Sequence, residues 1–322
     1  MSAKLRLTQR LELATALREQ GEYAQAHDIL DGLRDDPDNE VLGHRTSLGL
    51  PRRLQSAYLK LSKAAKDTVA RAGYQYHLAP PPDTLSRFTR FSSMERRDIA
   101  AANSQPVPRA LHQIWIGDAP IPAGTERWRR HADQHGYEYT LWREADLDVF
   151  GIRDNRVYQD MLSRGDYPGA VDVARYLVLQ KLGGIYLDCD WYPARDDLSF
   201  HDLMPLLGLS VLAEDIPRNT GKGGLLLANS LLATPADHPV FNRLLATLGE
   251  VMDTLPKAPA WWITGPLIFT LMGRGGSITL ADADIVAGAL PQETAQSYVD
   301  AWCRNNQNND GGLLLAWKSW VW

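Results

Sequence analysis

The chain is poor in cysteine, with two in 322 residues. A single pair cannot build a disulfide framework, and Cys189 stands between Asp188 and Asp190, where a bridge would obstruct both carboxylates. Such usage suits a reducing compartment, and a cytoplasmic location is expected. No run approaches the roughly 18 apolar residues of a spanning helix, so no membrane span is expected. The opening MSAKLRLTQRLELATALREQ lacks the apolar core of a signal peptide. Positive charge is not in excess. A net charge of −5 leaves no broad basic footprint for nucleic acid. Metal-binding histidine spacing is missing as well: His131 and His135 are i, i+4, with no acidic third ligand nearby. Gly221-Lys222-Gly223-Gly224 lacks the upstream glycine and the following Ser or Thr of a phosphate loop, and reads as a turn.

What is present is ordinary globular composition, 44% hydrophobic and 23% charged. The length suggests about two domains. Residues 5–34 show helical periodicity broken at Gly21. The run ALREQGEYAQAHDIL (16–30) with DPDN (36–39) resembles one tetratricopeptide helical hairpin, without a second copy. One such repeat cannot bury its apolar face alone. It is expected to pack on later helices, on a catalytic domain or on another subunit, as a scaffold or cap or as a docking surface for an acceptor, a partner or a second copy. A further helix is expected over 52–72, ended by Pro80-Pro81-Pro82. The polar segment 83–108, with Pro106 and Pro108, carries the boundary. Residues 1–104 form the helical region and 105–322 the catalytic domain.

From 109 onward the pattern is α/β. Strands are expected over 110–116, 137–142, 185–188, 206–213 and 223–230. Helices are expected over 170–182 and over 239–252, with Pro239 in the first turn. This alternation predicts a largely parallel sheet covered on both faces. Ligands bind such sheets at the carboxyl ends of the strands.

The chemistry concentrates in IYLDCDWYP (185–193). Asp188 and Asp190 stand at i, i+2 after an apolar run, which on an extended segment puts both carboxylates on one face. Two hard oxygen ligands suit a divalent cation and leave positions open for nucleotide phosphates. The preceding helix AVDVARYLVLQKL (170–182) is apolar nearly all round, which predicts burial. Asp172 and Arg175, three apart, share neighbouring surface in it. They form an internal ion pair, or they reach a polar ligand beside the aspartate pair. Trp115 on the first strand is core or a stacking face. Tyr186 alternates with the core-facing Ile185 and Leu187 and stays open between the same readings. The end, AWKSWVW (316–322), is packed core or an interface patch. The Asn- and Gly-rich lead-in, from Asn305 to Gly312, is a lid or a plain loop.

The ordered run A-x-D-x-x-R-Y…L-G-G-I-Y-L-D-x-D closely resembles the DXD-motif sugar transferases. These include the fungal Och1-type mannosyltransferases and the catalytic domains of large clostridial glucosylating toxins. RALHQIWIG (109–117), GYEYTLWRE (136–144), ANSLLATPADHPVF (228–241), TGP (264–266) and WKSW (317–320) follow in the same order. The resemblance covers roughly 105–322. It implies the GT-A fold and a metal-dependent, retaining glycosyltransferase of hexosyltransferase type. It also implies a nucleotide-sugar donor, a UDP-sugar by analogy, with Mn²⁺ or Mg²⁺. By the same resemblance Asp190 ligates the metal, and Asp188 contacts ribose, sugar or metal through water. Asp172 and Arg175 hold the donor sugar. Trp115 stacks on the base, with Ile114 and Tyr186 beside the nucleotide. Ser319 completes the metal site and Trp320 closes over the donor. The sequence departs from many relatives in having Leu313-Leu314-Leu315-Ala316 where histidines stand upstream of that closing segment. The lack of an apolar leader argues against a Golgi-type, membrane-anchored relative.

The acceptor stays open between glycan, peptide or protein, and small molecule. Two other readings share the motif. A haloacid-dehalogenase-type phosphatase also opens on h-h-h-D-x-D, but Trp191 follows here in place of Thr or Val, and the strand comes late in its domain. A non-catalytic sugar-nucleotide-binding module would not need the intact set Asp188, Asp190, Asp172 and Arg175.

Overall fold

The computed structural model describes residues 2–46, 48–78, 82–213, 226–256, 258–307 and 312–319. The chain forms two compact units, one of residues 2–84 and one of the described residues from Leu85 onward.

The first unit is helical: α1 (Ala3–Glu19), α2 (Tyr23–Arg34), α3 (Arg52–Ala64) and α4 (Thr68–Leu78). Ser2 caps α1 by accepting from the Leu5 N–H at 3.3 Å. Gly21, at φ +83°, makes the turn into α2 where the periodicity breaks. Leu7 and Leu11 of α1, Leu30 and Leu33 of α2, and Leu54 and Tyr58 of α3 share one core. The solitary hairpin therefore buries its apolar face on a later helix. Arg6 pairs with Asp36 at 2.6 Å across the hairpin. The helix expected over 52–72 is two helices. Lys66 takes φ +58°, and Asp67 accepts from the Ala70 N–H at 2.9 Å to start the second. Pro80 and Pro81 lie outside the described residues.

In the second unit, Ser92 and Glu95 form a capping box on α5 (Ser93–Ala102). Phe88, Phe91 and Ile99 join the larger core of this unit, so 85–104 packs here although the sequence reading groups it with the helical region. The strands are β1 (Ala110–Ile114), β2 (Glu138–Trp142), β3 (Gly184–Leu187), β4 (Trp191–Pro193), β5 (Ser210–Ala213), β6 (Leu227–Thr234), β7 (Thr279–Leu280), β8 (Val286–Ala289) and β9 (Leu314–Ala316). The main sheet has the order β2-β1-β3-β6-β5-β7 and the small sheet the order β4-β9-β8. β1 runs parallel to β2 and β3, and β5 parallel to β7; β6 opposes both its neighbours.

The longer helices after α5 are α6 (Ala123–His135), α7 (Arg156–Ser163), α8 (Tyr167–Leu182), α9 (Pro239–Thr254), α10 (Pro266–Gly275) and α11 (Gln296–Asn306). Strand alternation sorts side chains to two cores. Ile114, Tyr186 and Leu232 face Leu179, Phe241 and Phe269 on one side of the sheet. Leu111, Ile185 and Leu187 face Trp128 and Phe200 on the other. This is the expected α/β sheet domain, covered on both faces, with a helical region before it.

Two expected strands shift. Residues 206–209 form a turn, with Leu206 at φ +48° and Gly208 at φ +64°, so β5 begins only at Ser210. β6 starts at Leu227, and 223–225 lie outside the described residues. Of the lead-in read as a lid or a plain loop, 308–311 lie outside the described residues, and it runs into β9, which is hydrogen-bonded to β4 and β8 on its two edges.

Candidate active site

α8 ends in a turn that only glycine allows. Gly183 and Gly184 take φ +65° and +94°. A Cβ on Gly184 would stand 2.7 Å from the Ala110 carbonyl oxygen, and one on Gly183 2.6 Å from the Ala236 nitrogen. The turn lays β3 directly against β1. The carboxyl ends of these two parallel strands then lie side by side, and the chain after each lines one cavity of about 190 Å³. Ile114, Trp115 and Ile116 come from β1 and its exit; Tyr186, Asp188 and Asp190 come from β3 and its exit; Arg175 comes from α8.

The two aspartates meet by a turn and not along a strand. β3 stops at Leu187, and the Trp191 N–H donates to the Asp188 carbonyl at 3.2 Å as the chain crosses into β4 of the small sheet. The expected extended segment is absent because the chain changes sheets here. Both carboxylates still reach the same cavity.

Arg175 organises the charges. It is 3% exposed and lies 3.2 Å from Asp172 and 3.0 Å from Asp188. It also donates to the Asn229 carbonyl, and its guanidinium lies 4.6 Å from the centre of the Tyr186 ring. Its Nε has no hydrogen-bond partner among the described residues, which leaves a donor of the planar fork unused. Asp172 sits behind Arg175. It accepts from Asn229 at 2.7 Å and from Thr264 at 2.9 Å and does not line the cavity. Asp172 is thus the buried partner of the ion pair, while Arg175 also lines the cavity.

Tyr186 is fully buried; its hydroxyl donates to Asp188 at 2.8 Å. Trp115 is 5% exposed and donates from Nε1 to the Ala119 carbonyl at 2.9 Å, yet one side of it lines the cavity. It is core and cavity wall at once. The buried Cys189 thiol donates to the Ile114 carbonyl at 3.4 Å, and burial pushes it up, away from reactivity.

Burial, then the neighbouring Asp188, push the Asp190 carboxyl up to about 7. Asp172 is raised by burial to about 6, although Arg175, Thr264 and Asn229 pull it down. Among the described residues no third His, Cys, Asp or Glu joins the pair.

Trp317 fixes the C-terminal segment here, its N–H donating to the Asp190 carbonyl at 2.8 Å. Lys318 then lines the aspartate cavity. Ser319 lines a different cavity together with Trp317. Trp320 lies outside the described residues. Asn229, Thr264 and Lys318 join the site with no signal of their own in the sequence.

Residues 123–204 match the family described as the glycosyltransferase sugar-binding region containing DXD motif. The match takes in both aspartates and the helix that precedes them. Inositol phosphoceramide mannosyltransferase 1 of Schizosaccharomyces pombe is 30% identical over 123 residues, 35% of this chain and 35% of that protein. Inositol phosphoceramide mannosyltransferase 3 of the same yeast is 29% identical over 54% of this chain and 47% of its own. The chain thus spans between a third and a half of these curated relatives. Among solved structures, PaToxG glycosyltransferase aligns at 17% identity and a TM-score of 0.41, over 59% of this chain and 75% of that one. Mouse xyloside xylosyltransferase 1 aligns at 11% identity and a TM-score of 0.34, over 72% and 92%. Among the described residues no helix is long and apolar enough to cross a membrane.

Proposed function

We propose that the chain is a metal-dependent, retaining glycosyltransferase that moves a hexose from a nucleotide-sugar to an acceptor hydroxyl. One observation carries this reading. Asp188 and Asp190 share a cavity with Trp115 and Arg175 at the carboxyl ends of β1 and β3, where nucleotides bind in sheets of this kind. The relatives' names favour a mannosyl donor; the expected UDP-sugar stands beside GDP-sugars as the base to be tested.

The residues fit a hard divalent cation. Asp188 and Asp190 offer oxygen ligands only, and two carboxylates leave coordination positions for diphosphate oxygens. A half-buried carboxyl pushed up to about 7 is a group that a cation would stabilise in its charged form. Mn²⁺ or Mg²⁺ bound there supplies Lewis acidity against the charge gathering on the departing diphosphate. Arg175 and Tyr186 fix Asp188 before any ligand arrives. Trp115 presents a flat apolar wall to the base. Lys318 places a further cation beside the pair. Asp188 Oδ1 already accepts from Tyr186 and is ion-paired to Arg175, which suits a fixed ligand better than the free nucleophile of a phosphatase.

Purified protein incubated with a panel of UDP- and GDP-sugars, with and without Mn²⁺, tests the reading. Release of sugar from one donor, dependent on the metal, supports it. Phosphate release from monoesters with no donor cleaved would favour the phosphatase.

A further inference from the structure

We propose that a groove on the far side of residues 317–319 is the acceptor site, and that it takes a neutral, hydroxyl-rich acceptor such as a glycan. The proposal rests on the glycosyl-transfer reading above and gives that site its acceptor class. Lys318 faces the donor cavity, while Trp317 and Ser319 line a second cavity of about 540 Å³. One segment of chain therefore separates the two. The second cavity shares Ala123 and Gln296 with a third, of about 620 Å³, so the groove continues outward from residues 317–319.

The walls define the ligand. Near the donor they are apolar, formed by Pro120, Ile121, Pro122 and Trp317. Ile121 is 52% exposed, and Trp317 is 6% exposed with no hydrogen-bond partner for Nε1 among the described residues. A buried donor of that kind is costly until a partner reaches it.

The outer part is polar and balanced in charge: Arg127, Arg130 and Arg304 face Glu126, Asp196 and Asp300. Arg127 is paired with Asp196 at 2.7 Å. Gln296 donates to Asp300 at 3.0 Å and to the Tyr192 hydroxyl at 3.2 Å. Donors beside carboxylate acceptors suit hydroxyls, each of which donates and accepts. The absence of net charge gives a phosphate or a basic peptide no advantage.

α6 and α11 both begin at this groove, after Pro122 and Ala295, and neither start has a side-chain cap. The helical hydrogen bonds begin at Thr125 and Tyr298, so the earlier N–H groups, at Ala123 and Gln296, can meet acceptor oxygens. In transfer, the acceptor oxygen bonds to the anomeric carbon as that carbon's bond to the diphosphate oxygen breaks. The diphosphate leaves with the electron pair, and the hydroxyl proton passes to solvent.

Saturation-transfer NMR with short neutral manno- and gluco-oligosaccharides tests this on the parent and on Asp300→Ala and Gln296→Ala, with UDP and GDP affinity measured in parallel. Gln296 is exposed, so its variant stays informative if Asp300→Ala misfolds. The expected result is saccharide binding by the parent, weakened about tenfold or more in Asp300→Ala, the scale of a lost hydrogen bond to a charged group, and about threefold or more in Gln296→Ala, the scale of a neutral one. Nucleotide affinity should not change. No saccharide binding by the parent, equal binding in every variant, or binding to anionic lipid vesicles alone would overturn the assignment. Groove-dependent saccharide binding by a parent that cleaves no nucleotide-sugar would uphold the saccharide site and refute the transfer reading instead.

Discussion

The guanidinium of Arg175 stands 3.0 Å from the carboxylate of Asp188, across the space between the middle of α8 and the exit of β3. This ion pair joins the buried Asp172 network to the cavity. Breaking a buried pair leaves uncompensated charge, so Arg175→Met should cost about 3–5 kcal/mol of stability. Adding Asp172→Asn should restore part of that loss. Urea unfolding of the three proteins checks both expectations, and an unchanged midpoint in Arg175→Met would contradict the network.

Trp115→Ala separates wall from core. If the ring stacks on the base, nucleotide affinity should fall by about 1–3 kcal/mol. A purely structural role predicts a large loss of melting temperature with normal nucleotide binding by the folded fraction. Calorimetric titration and melting of the same variant decide between them.

Asp190 makes stability depend on pH. Folded Asp190 is held at about 7, above its ordinary 3.8. The folded state keeps this proton after the unfolded chain has lost it. Metal-free stability from this group is therefore highest near pH 4 and falls as pH rises toward 7. Asp190→Asn removes the fall, so its melting temperature should exceed the parent's at pH 8 and approach it near pH 4. Parallel profiles would show that Asp190 is not raised.

Much of the fold is written in local pattern. The alternation at Ile185, Tyr186 and Leu187 assigns side chains to two cores, and Gly183-Gly184 marks the turn that sets β3 against β1. Two of the errors fall where non-glycine residues take positive φ, at Lys66 and Leu206, because propensity does not register a tertiary constraint on one backbone angle. Within the site, Asp188, Asp190 and Arg175 stand out in sequence because charge in an apolar run demands partners. Asn229 and Thr264 do not, since their bonds to Asp172 join residues 57 and 92 positions apart. Whether Lys318 or Ser319 meets the donor depends on the parity of the chain leaving β9, and a slip of one residue exchanges the two sides.

The central claim is that Asp188 and Asp190 hold a divalent cation together with a nucleotide diphosphate. Calorimetric titration of Mn²⁺ into the protein, with and without UDP or GDP, tests it most directly. Two carboxylates alone should bind Mn²⁺ weakly, and the matching nucleotide should tighten binding by supplying phosphate oxygens. Asp190→Asn should lose the enhancement. Affinity for Mn²⁺ indifferent to both nucleotides, or undiminished in Asp190→Asn, would contradict the account.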